Sequence, residues 1–441
     1  SCSIADACVL KDLWKKMILS YFETGSPFLG FKDTANKSNP NDHAGIIRSS
    51  NLCTEIFQNT QPNEYKVKIE FADGEIAMYN EDDIVEIGSG ITKKANKLSS
   101  IDILYGKKIY HVSKVSEDGL TAVCNLASVN LSKVNTKEKI EAVIPVAVRM
   151  LDNVIDLNFY PARKVRSTNE LSRAIGLGVM GEAQMLAEAA IVWGSKEHYQ
   201  KVDGIMEMVS YNTISTSSDL SVEKGSYPTF EGSKWSRGIM PIDSANKEAI
   251  KLIDREHTYD WDALREKVKR DGMRNGYLMA IAPTSSISIL TGTTQTIEPV
   301  YKRKWFEENL SGLIPVCVPN LTAATWQYYT TAYDLDQKLL IEAAAIRQKW
   351  IDQGQSLNLY IGNADGKKLD ITYRMAWYSG LKTTYYLRSI AATSTEKSTV
   401  QQGKLNAVSS GETEAAPQEL GAPAPVPSAC SLEEPDCEAC Q

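Results

Sequence analysis

The alternation of hydrophobic and polar residues divides the chain into segments of different character. Apolar residues in 9–21 recur at helical spacing and predict an amphipathic helix. The run IIRSSNLCTEIFQN, residues 46–59, favours a strand or a taut loop. Residues 65–115 alternate apolar and polar side chains around an Asp73-Gly74 turn signal, which predicts a small antiparallel β unit.

After Leu131 the pattern is mostly helical, as in KEKIEAVIPVAVRMLDNVIDL and QKVDGIMEMVSYNTIS. Short apolar runs interrupt it, namely AIGLGVMG, YLMAIAP and GLKTTYYLRS. Helices that alternate with short buried strands predict an α/β architecture, and a closed barrel is compatible with this length.

Composition narrows the class of protein. The chain has 441 residues, 43% of them hydrophobic and 23% charged, enough for a large buried core. A net charge of −7 lacks the basic excess of a general polyanion binder, so nucleic acid is not expected as a partner. No apolar run reaches about 18 residues and no secretion signal precedes the first helix, so we expect no membrane partner and a cytoplasmic location. The eight dispersed cysteines fit reduced or redox-cycling thiols.

The end of the chain combines a polar tail with thiols. No aromatic residue follows Tyr386, and residues 393–441 are rich in Ser, Thr, Glu, Ala and Pro, which predicts a disordered tail. The tail ends in ACSLEEPDCEACQ, with Cys430, Cys437 and Cys440. A terminal C-x-x-C pair closes a disulfide easily or binds zinc, but zinc needs four ligands and no histidine lies nearby. A mobile dithiol that visits another site is favoured over accidental thiols.

The segment Asn51-Leu52-Cys53-Thr54-Glu55 carries the most concentrated chemistry. On an extended backbone its amide, thiol and carboxylate would share one face, about 7 Å apart along the strand. A ligand one sugar ring wide could then touch Glu55 as a base, Asn51 as a hydrogen-bond partner and Cys53 as the reactive centre. A buried structural cysteine is the alternative.

Other candidates are weaker when each is taken alone. Cys124, in TAVCNLASVNL, and Cys317, in LIPVCVPN, lie in short apolar runs that predict buried structural thiols, with Cys124 on a strand. Pro283 to Ile287 supplies hydroxyls and N–H groups that suit either a phosphate or an ordinary helix cap, and the cap is the simpler interpretation. Tyr385 and Tyr386 suit packing on a strand.

Five segments in this order resemble the catalytic large subunit of class I ribonucleotide reductase, the alpha subunit: SSNLCTEI, AVCNLASVNL, IAPTSSISILTGTTQTIEP, KTTYYLRS and the terminal CEAC. The resemblance covers nearly all of the chain outside the β insertion and the linker, and it implies part of a ten-stranded α/β barrel. The expected division is a barrel start with the cysteine loop (1–64), a β-rich insertion (65–115), the rest of the barrel (116–392) and a flexible tail (393–441).

The resemblance also implies roles for individual residues. Cys53 matches the cysteine that is oxidised to a thiyl radical and takes the 3′ hydrogen of a ribonucleotide. Glu55 matches the base on the 3′ hydroxyl, Asn51 the amide that orients the ribose, and Cys124 one member of the reducing cysteine pair. The implied substrate-binding residues are Asn51, Leu52, Cys53, Thr54 and Glu55, with Pro283, Thr284, Ser285, Ser286 and Ile287 on the diphosphate, which reverses the preference for a helix cap.

Further implied roles concern electrons. Tyr385 and Tyr386 match the paired tyrosines that carry the radical from a separate small subunit with a metal centre, so no cofactor is expected to bind this chain directly. Cys437 and Cys440 match the shuttle that takes electrons from thioredoxin or glutaredoxin, whereas Cys430 has no matching role.

The chain departs from the family at its start. It begins at Ser1, and the family's N-terminal part, with the allosteric sites and the other reducing cysteine, has no match. We therefore expect reduction of ribonucleoside diphosphates, for deoxyribonucleotide and DNA synthesis, only with that N-terminal half and the small subunit. A cobalamin-dependent reductase is the second enzyme hypothesis, which the tyrosine pair disfavours. A non-catalytic, thiol-bearing interaction protein is the third, and the insertion is either structural or a nucleotide or protein contact.

Overall fold

The computed structural model describes residues 4–389, apart from 88–90, 254, 310–311 and 363–364. The predicted disordered tail, with Cys430, Cys437 and Cys440, lies outside the described residues. The helices are α1 (Ile4–Thr24), α2 (Lys32–Lys37), α3 (Lys137–Leu157), α4 (Arg163–Ser172), α5 (Glu182–Glu188), α6 (Lys196–Lys224), α7 (Lys247–Lys251), α8 (Trp261–Asp271), α9 (Ser285–Thr291), α10 (Gln337–Gln348) and α11 (Gly366–Tyr378). The strands are β1 (Glu64–Phe71), β2 (Ile76–Asn80), β3 (Ile84–Glu86), β4 (Thr92–Lys94), β5 (Ile103–Leu104), β6 (Lys107–Glu117), β7 (Leu126–Asn130), β8 (Gly176–Met180), β9 (Lys304–Asn309), β10 (Gly312–Cys317), β11 (Leu359–Ile361) and β12 (Leu387–Ser389).

Short parallel strands form the centre of the α/β part. Strand β7 pairs in parallel with β8, and β11 pairs in parallel with β12. Parallel bridges join Leu177 to Met279 and Ile281 to Gln355, so these segments lie side by side. The α/β class is therefore confirmed. Among the described residues of this α/β part the strands form separate pairs and isolated bridges, and no closed barrel is formed.

Helices cover these strands through their apolar faces. Helix α3 begins at the cap Thr136, whose side chain accepts a hydrogen bond from the backbone N–H of Lys139. Its buried residues recur every three or four positions and face α6, as helical periodicity requires. The largest apolar cluster joins β7 and β8 with side chains of α3, α6, α8 and α10.

The predicted β unit is a four-stranded antiparallel sheet with the strand order β2-β1-β6-β5. Gly74 has a φ of +88° in the turn between β1 and β2, a conformation that glycine adopts without strain. Alternate residues of β1, Val67, Ile69 and Phe71, enter a separate apolar cluster with residues of the neighbouring loops. The boundaries of this unit as a domain stay predictions.

Three predictions about the cysteines and their backbone are wrong. Cys124 lies in a loop that ends before β7 and its side chain is exposed, and Cys317 is exposed on β10, so neither is a buried structural thiol. Of the two alternatives for residues 46–59, a strand or a taut loop, the strand is wrong at residues 51–54, which form a turn because the N–H of Thr54 bonds back to the carbonyl of Asn51. Apolar neighbours in sequence predicted burial, but the loop before β7 exposes Cys124 and the two-stranded sheet of β9 and β10 exposes Cys317.

The described ranges contain neither a membrane-spanning helix nor a cluster of side chains that could hold a metal ion. Helices there are either too short or too polar to cross a bilayer. Nor does any group of three or more His, Cys, Asp and Glu side chains in these ranges have the arrangement of a metal site.

The close packing of β8 against the neighbouring segment predicts the effect of a small substitution. Alanine at Gly178 would place its Cβ 2.3 Å from the carbonyl oxygen of Ala280. We expect Gly178→Ala to lower the free energy of unfolding by about 1–3 kcal/mol, because backbone has to move. Urea denaturation of the chain measures this change.

Gly204 in α6 is the matched control, since an added Cβ there meets no described atom within 4 Å. Gly204→Ala should raise the free energy of unfolding by about 0.5–1 kcal/mol, because alanine favours the helix. Equal effects of the two substitutions would contradict the packing described for β8.

Candidate active site

One buried extended segment, residues 352–359, holds the cysteine loop in place. The N–H of Gly354 donates to the carbonyl of Glu55 over 2.8 Å, and its carbonyl accepts from the N–H of Ile281 over 3.0 Å. A side chain at Gly354 would lie 2.7 Å from the ring of Phe57 and 3.0 Å from the carbonyl oxygen of Thr54. Only glycine therefore allows the loop to approach this segment so closely.

The same segment positions the two tyrosines. The N–H of Tyr385 donates to the carbonyl of Leu357 over 2.7 Å, and the N–H of Leu359 donates to the carbonyl of Tyr386 over 2.9 Å. These bonds continue into the parallel pair of β11 and β12. The cysteine loop and the tyrosines, far apart in sequence, thus share one backbone support.

The turn at residues 51–54 presents the thiol of Cys53. Thr54 closes the turn with a φ of +67°, and its N–H lies 3.2 Å from the carbonyl oxygen of Asn51. Leu52 is 80% exposed, whereas Thr54 and Glu55 are buried. The turn therefore replaces the extended spacing that the sequence suggested and sends successive side chains in different directions.

Cys53 is half-buried beneath Tyr385. The phenol of Tyr385 donates to Cys53 Sγ over 3.5 Å, within the range of a sulfur hydrogen bond. Burial raises the pKa of the Cys53 thiol, and the negative charge of Glu55 adds to this, against the opposing effect of the Tyr385 hydrogen bond. Burial also raises the pKa of Tyr385 well above its ordinary value. Both groups are therefore kept in their neutral, hydrogen-bearing forms.

Glu55 is the buried carboxyl of the site. Ser356 Oγ lies 3.0 Å from its Oε2 and also within hydrogen-bond distance of the carbonyl oxygen of Cys53, so these two acceptors share its single hydroxyl hydrogen. Burial raises the pKa of Glu55, although hydrogen bonds from Asn51 and Ser356 partly oppose this effect. A carboxyl with a raised pKa holds a proton more readily than free glutamate and is suited to acid–base exchange with a ligand.

Asn51 connects the turn to the second thiol. Its Nδ2 donates to Cys124 Sγ over 3.3 Å, and its Oδ1 accepts from the N–H of Ile56 over 3.0 Å. Loss of hydration raises the pKa of Cys124, with the charges of Glu55 and Cys53 acting in the same direction. The structure therefore brings Asn51, Cys53, Glu55 and Cys124 into one cluster.

A cavity of about 300 Å³ opens beside this cluster, between residues 49–60 and 120–124. Its walls include Asn51 and Cys124 together with the hydroxyls of Ser49 and Thr121. The lining is mixed, with Ile56, Leu120, Ala122 and Val123 beside these polar groups, which can exchange hydrogen bonds with a hydroxylated ligand.

Pro283 to Ile287 follow the segment that contains Ile281, next to the support for the cysteine loop. Helix α9 begins at Ser285, and Thr284 is its N-cap residue with a φ of +58°. The side chain of Thr284 makes no capping hydrogen bond and instead accepts from the N–H of Thr296 over 2.9 Å. The simple interpretation as a side-chain helix cap is therefore wrong for Thr284.

The tyrosine rings meet at a centroid distance of 4.5 Å and an angle of 60°. Phe28 contacts both rings, with centroids 4.7 Å from Tyr385 and 4.7 Å from Tyr386. Tyr385 is buried and Tyr386 is half-buried, so the pair runs from the thiol towards the surface.

Three residues near the site were missed in the sequence analysis: Phe28, Ser356 and Arg388. Ser356 lies in a polar run, QGQSLN, that gives no periodic signal of burial. Phe28 and Arg388 approach the tyrosines only through the fold. Arg388 alone had a local signal, since it stands two positions after Tyr386 in an extended run and can share its face.

Comparison with known proteins gives the family. Residues 4–387 match the family model described as ribonucleotide reductase, barrel domain. The chain is 66% identical over 397 residues to ribonucleoside-diphosphate reductase subunit alpha of Helicobacter pylori, a match to 89% of this chain and 50% of that protein. The same-named proteins of Chlamydia trachomatis and Treponema pallidum are 38% identical over 484 residues and 39% identical over 387 residues. Those matches cover 98% and 86% of this chain and 40% of each relative, so the chain spans half or less of these relatives' length.

The electrostatics of the cluster predict that substitutions of Glu55 and Tyr385 have opposite effects on the alkylation rate of Cys53. Glu55→Gln removes a negative charge and should speed alkylation of Cys53 by iodoacetamide at pH 8. Tyr385→Phe removes a hydrogen bond to the thiolate and should slow it. We expect changes of about two- to fivefold, because the alkylation rate follows the thiolate fraction, which the pKa of Cys53 determines.

Quantitative mass spectrometry of the Cys53 peptide measures these rates, with the exposed Cys317 peptide as the internal reference. Changes of the same sign in both variants would contradict the geometry, since opening of the loop alone would accelerate alkylation in each.

Proposed function

The chain belongs to the ribonucleotide reductase family, and on that basis we propose that it reduces ribonucleoside diphosphates to deoxyribonucleoside diphosphates by thiyl-radical chemistry. The observation that carries the proposal is the contact of 3.5 Å between the phenol of Tyr385 and the thiol of Cys53. Neighbouring Glu55 supplies a base, and Cys124 supplies a second thiol. Part of the family's ten-stranded barrel is the proposed architecture.

The first step moves a hydrogen atom from Cys53 to Tyr385. A phenoxyl radical at Tyr385 takes one electron and one proton from the thiol, which leaves a thiyl radical and a neutral phenol. The raised pKa of Cys53 supports this step, because it keeps the hydrogen on the sulfur. Oxidation then creates no net charge in a partly buried site.

The second step activates the sugar. The Cys53 thiyl radical removes the 3′ hydrogen of the ribose, and the ionised Glu55 accepts the proton of the 3′ hydroxyl. Ser356 donates to one oxygen of Glu55, so the other can face the substrate. Since burial raises the pKa of Glu55, the basic form should increase with pH over a range above that of free glutamate.

The third step removes the 2′ hydroxyl as water, and a cysteine pair supplies the two electrons and two protons that this reduction at C2′ requires. Cys53 then returns its hydrogen to C3′ and Glu55 returns the proton to the 3′ oxygen, which restores the thiyl radical and the carboxylate. We propose Cys124 as one donor, with its sulfur oriented by Asn51, and a cysteine from the remaining length of the alpha subunit as the other. The disulfide that forms is reduced again by Cys437 and Cys440, which take electrons from thioredoxin or glutaredoxin.

The substrate diphosphate is proposed to bind the loop Pro283 to Ile287, with the ribose over Asn51 to Glu55. The hydrogen bonds of Ile281 to the segment 352–359 support this placement, since they bring the loop close to Glu55. Hydroxyls of Ser285 and Ser286 are suitable donors to phosphate oxygens.

Two protein partners complete the proposal. The remaining half of the alpha subunit supplies the parts that this chain does not span, and a small subunit with a metal centre generates the radical that enters at Tyr386. The direct contact of the two tyrosine rings, which meet at an angle of 60°, supports a radical delivered by a partner over one generated from bound cobalamin. The cytoplasmic location stays a prediction.

Substitution of the radical path tests the proposal in the complemented enzyme. Cys53→Ser and Tyr386→Phe should each lower deoxynucleotide formation at least about 1,000-fold. The reason is that the hydroxyl of serine and the ring of phenylalanine are not oxidised at the redox potentials that oxidise a thiol or a phenol. Cys317→Ser and Tyr110→Phe, both at exposed positions, are the matched controls and should retain activity. Turnover by the Cys53→Ser enzyme would overturn the proposed function.

The shuttle is tested separately through Cys437. Cys437→Ser should allow one turnover and sustained activity with small dithiols, but should abolish cycling with thioredoxin. Cys430→Ser, at a cysteine with no proposed role, is the control. Full thioredoxin-driven activity of the Cys437→Ser enzyme would remove the tail from the mechanism.

A further inference from the structure

Arg388 covers one face of Tyr386. Its guanidinium carbon lies 4.9 Å from the centre of the ring, within the range of a cation–π interaction. Arg388 belongs to β12, which begins directly after Tyr386. The alternation of side chains along an extended backbone places residues two positions apart on the same side, so this contact follows from the local structure.

The ring of Tyr386 depends on such contacts for its orientation. Its backbone carbonyl is fixed by the N–H of Leu359, but this bond leaves the side-chain torsions undetermined. The ring meets Tyr385 at 4.5 Å, the edge of Phe28 at 4.7 Å and the guanidinium of Arg388 at 4.9 Å. Two aromatic rings and one cation therefore enclose Tyr386.

A buried acidic group, Glu298, interacts electrostatically with Arg388. Glu298 is 2% exposed and accepts hydrogen bonds from the phenol of Tyr360 over 2.7 Å and from the N–H of Asn358 over 2.6 Å. Burial raises the pKa of Glu298, and the positive charge of Arg388 acts against this increase. The guanidinium is thus electrostatically coupled to a fixed carboxyl within the core.

We propose that Arg388 is a positioning residue for radical transfer, which holds the ring of Tyr386 across that of Tyr385. Its charge has a second effect, because an electron removed without the phenolic proton would leave a cation radical beside the guanidinium. The arrangement therefore favours loss of the electron together with the proton. Phe28 completes the enclosure on a side that carries no charge.

The transfer is balanced as follows. The radical of the small subunit takes one electron from Tyr386, whose proton leaves from its half-buried phenol to solvent or to the partner. Tyr385 then gives one electron and one proton to the Tyr386 phenoxyl radical, which restores Tyr386 and leaves the radical on Tyr385. This inference rests on the proposed function, but the position of the ring is testable without turnover.

The first experiment places 3-fluorotyrosine at position 386 of the chain and records its ¹⁹F NMR spectrum. A single narrow resonance is expected for the parent chain. Arg388→Gln should shift or broaden it, because the charge over the ring is lost, whereas Arg388→Lys should largely restore the parent spectrum. If Arg388→Gln does not fold, Phe28→Leu tests the same enclosure and should also change the resonance.

Arg303 provides the matched control, since its guanidinium lies 5.0 Å from the ring of Trp326 near the hairpin of β9 and β10. Arg303→Gln removes a similar cation–π contact and should leave the resonance of residue 386 unchanged. An unchanged resonance in Arg388→Gln, or in Phe28→Leu if that variant replaces it, would overturn the proposal.

The second experiment measures turnover in the complemented enzyme. Arg388→Gln should lower kcat by about tenfold or more with the nucleotide KM within about twofold, because a misplaced relay slows chemistry without weakening binding. Arg388→Lys should recover much of this loss, and Arg303→Gln should show none. An unchanged kcat in Arg388→Gln would overturn the proposal. Inactivity of the parent enzyme would instead count against the proposed function, and the NMR result alone would then decide whether Arg388 positions the ring of Tyr386.

Discussion

The buried segment 352–359 is the physical constraint on which the site depends. Through backbone hydrogen bonds it contacts the loop of Glu55, the segment that contains Ile281 and both tyrosines. Each bond lies in the interior, where an unpaired N–H or carbonyl would cost about 1–3 kcal/mol, so the three neighbours are held in one register. Gly354 allows the closest of these approaches. A shift of this segment would separate the thiol from the phenol that lies above it.

Burial gives the site its chemical character. It raises the pKa values of Cys53, Glu55 and Tyr385 in the same direction, towards the protonated form of each. Hydrogen-atom transfer between a phenol and a thiol needs neutral partners in contact, and a surface exposed to water would favour competing ionisation and quenching. The polar contacts of Ser356 and Asn51 orient the carboxyl and the second thiol without making the site hydrophilic.

Local patterns predict the parts of the fold that depend on local physics. The apolar periodicity of α3 predicted a helix, and the alternation around Asp73 and Gly74 predicted strands, because one face of each element is buried. The sequence pattern did not predict the burial of the segment 352–359, because its buried Gln353, Ser356 and Asn358 are polar. Their hydrogen-bond partners also lie far away in sequence.

The candidate site was predicted unevenly for the same reason. The resemblance to family motifs identified the candidate residues, namely Cys53, Glu55, Asn51, Cys124 and the two tyrosines. The fold brings these side chains together, but not in the arrangement that an extended backbone would give. The turn at Thr54 and the exposure of Cys124 depend on contacts between distant loops. Residues that act by contact alone, such as Phe28, had no signal in the sequence.

The central claim is that the sulfur of Cys53 abstracts hydrogen from the sugar. A crystal structure of the complemented alpha subunit with a ribonucleoside diphosphate tests it most directly. The account predicts the ribose C3′ in van der Waals contact with Cys53 Sγ, with the 3′ hydroxyl bonded to Glu55 and Tyr385 on the other side of the sulfur. A nucleotide bound with its ribose away from Cys53, while the diphosphate is fully ordered, would contradict it.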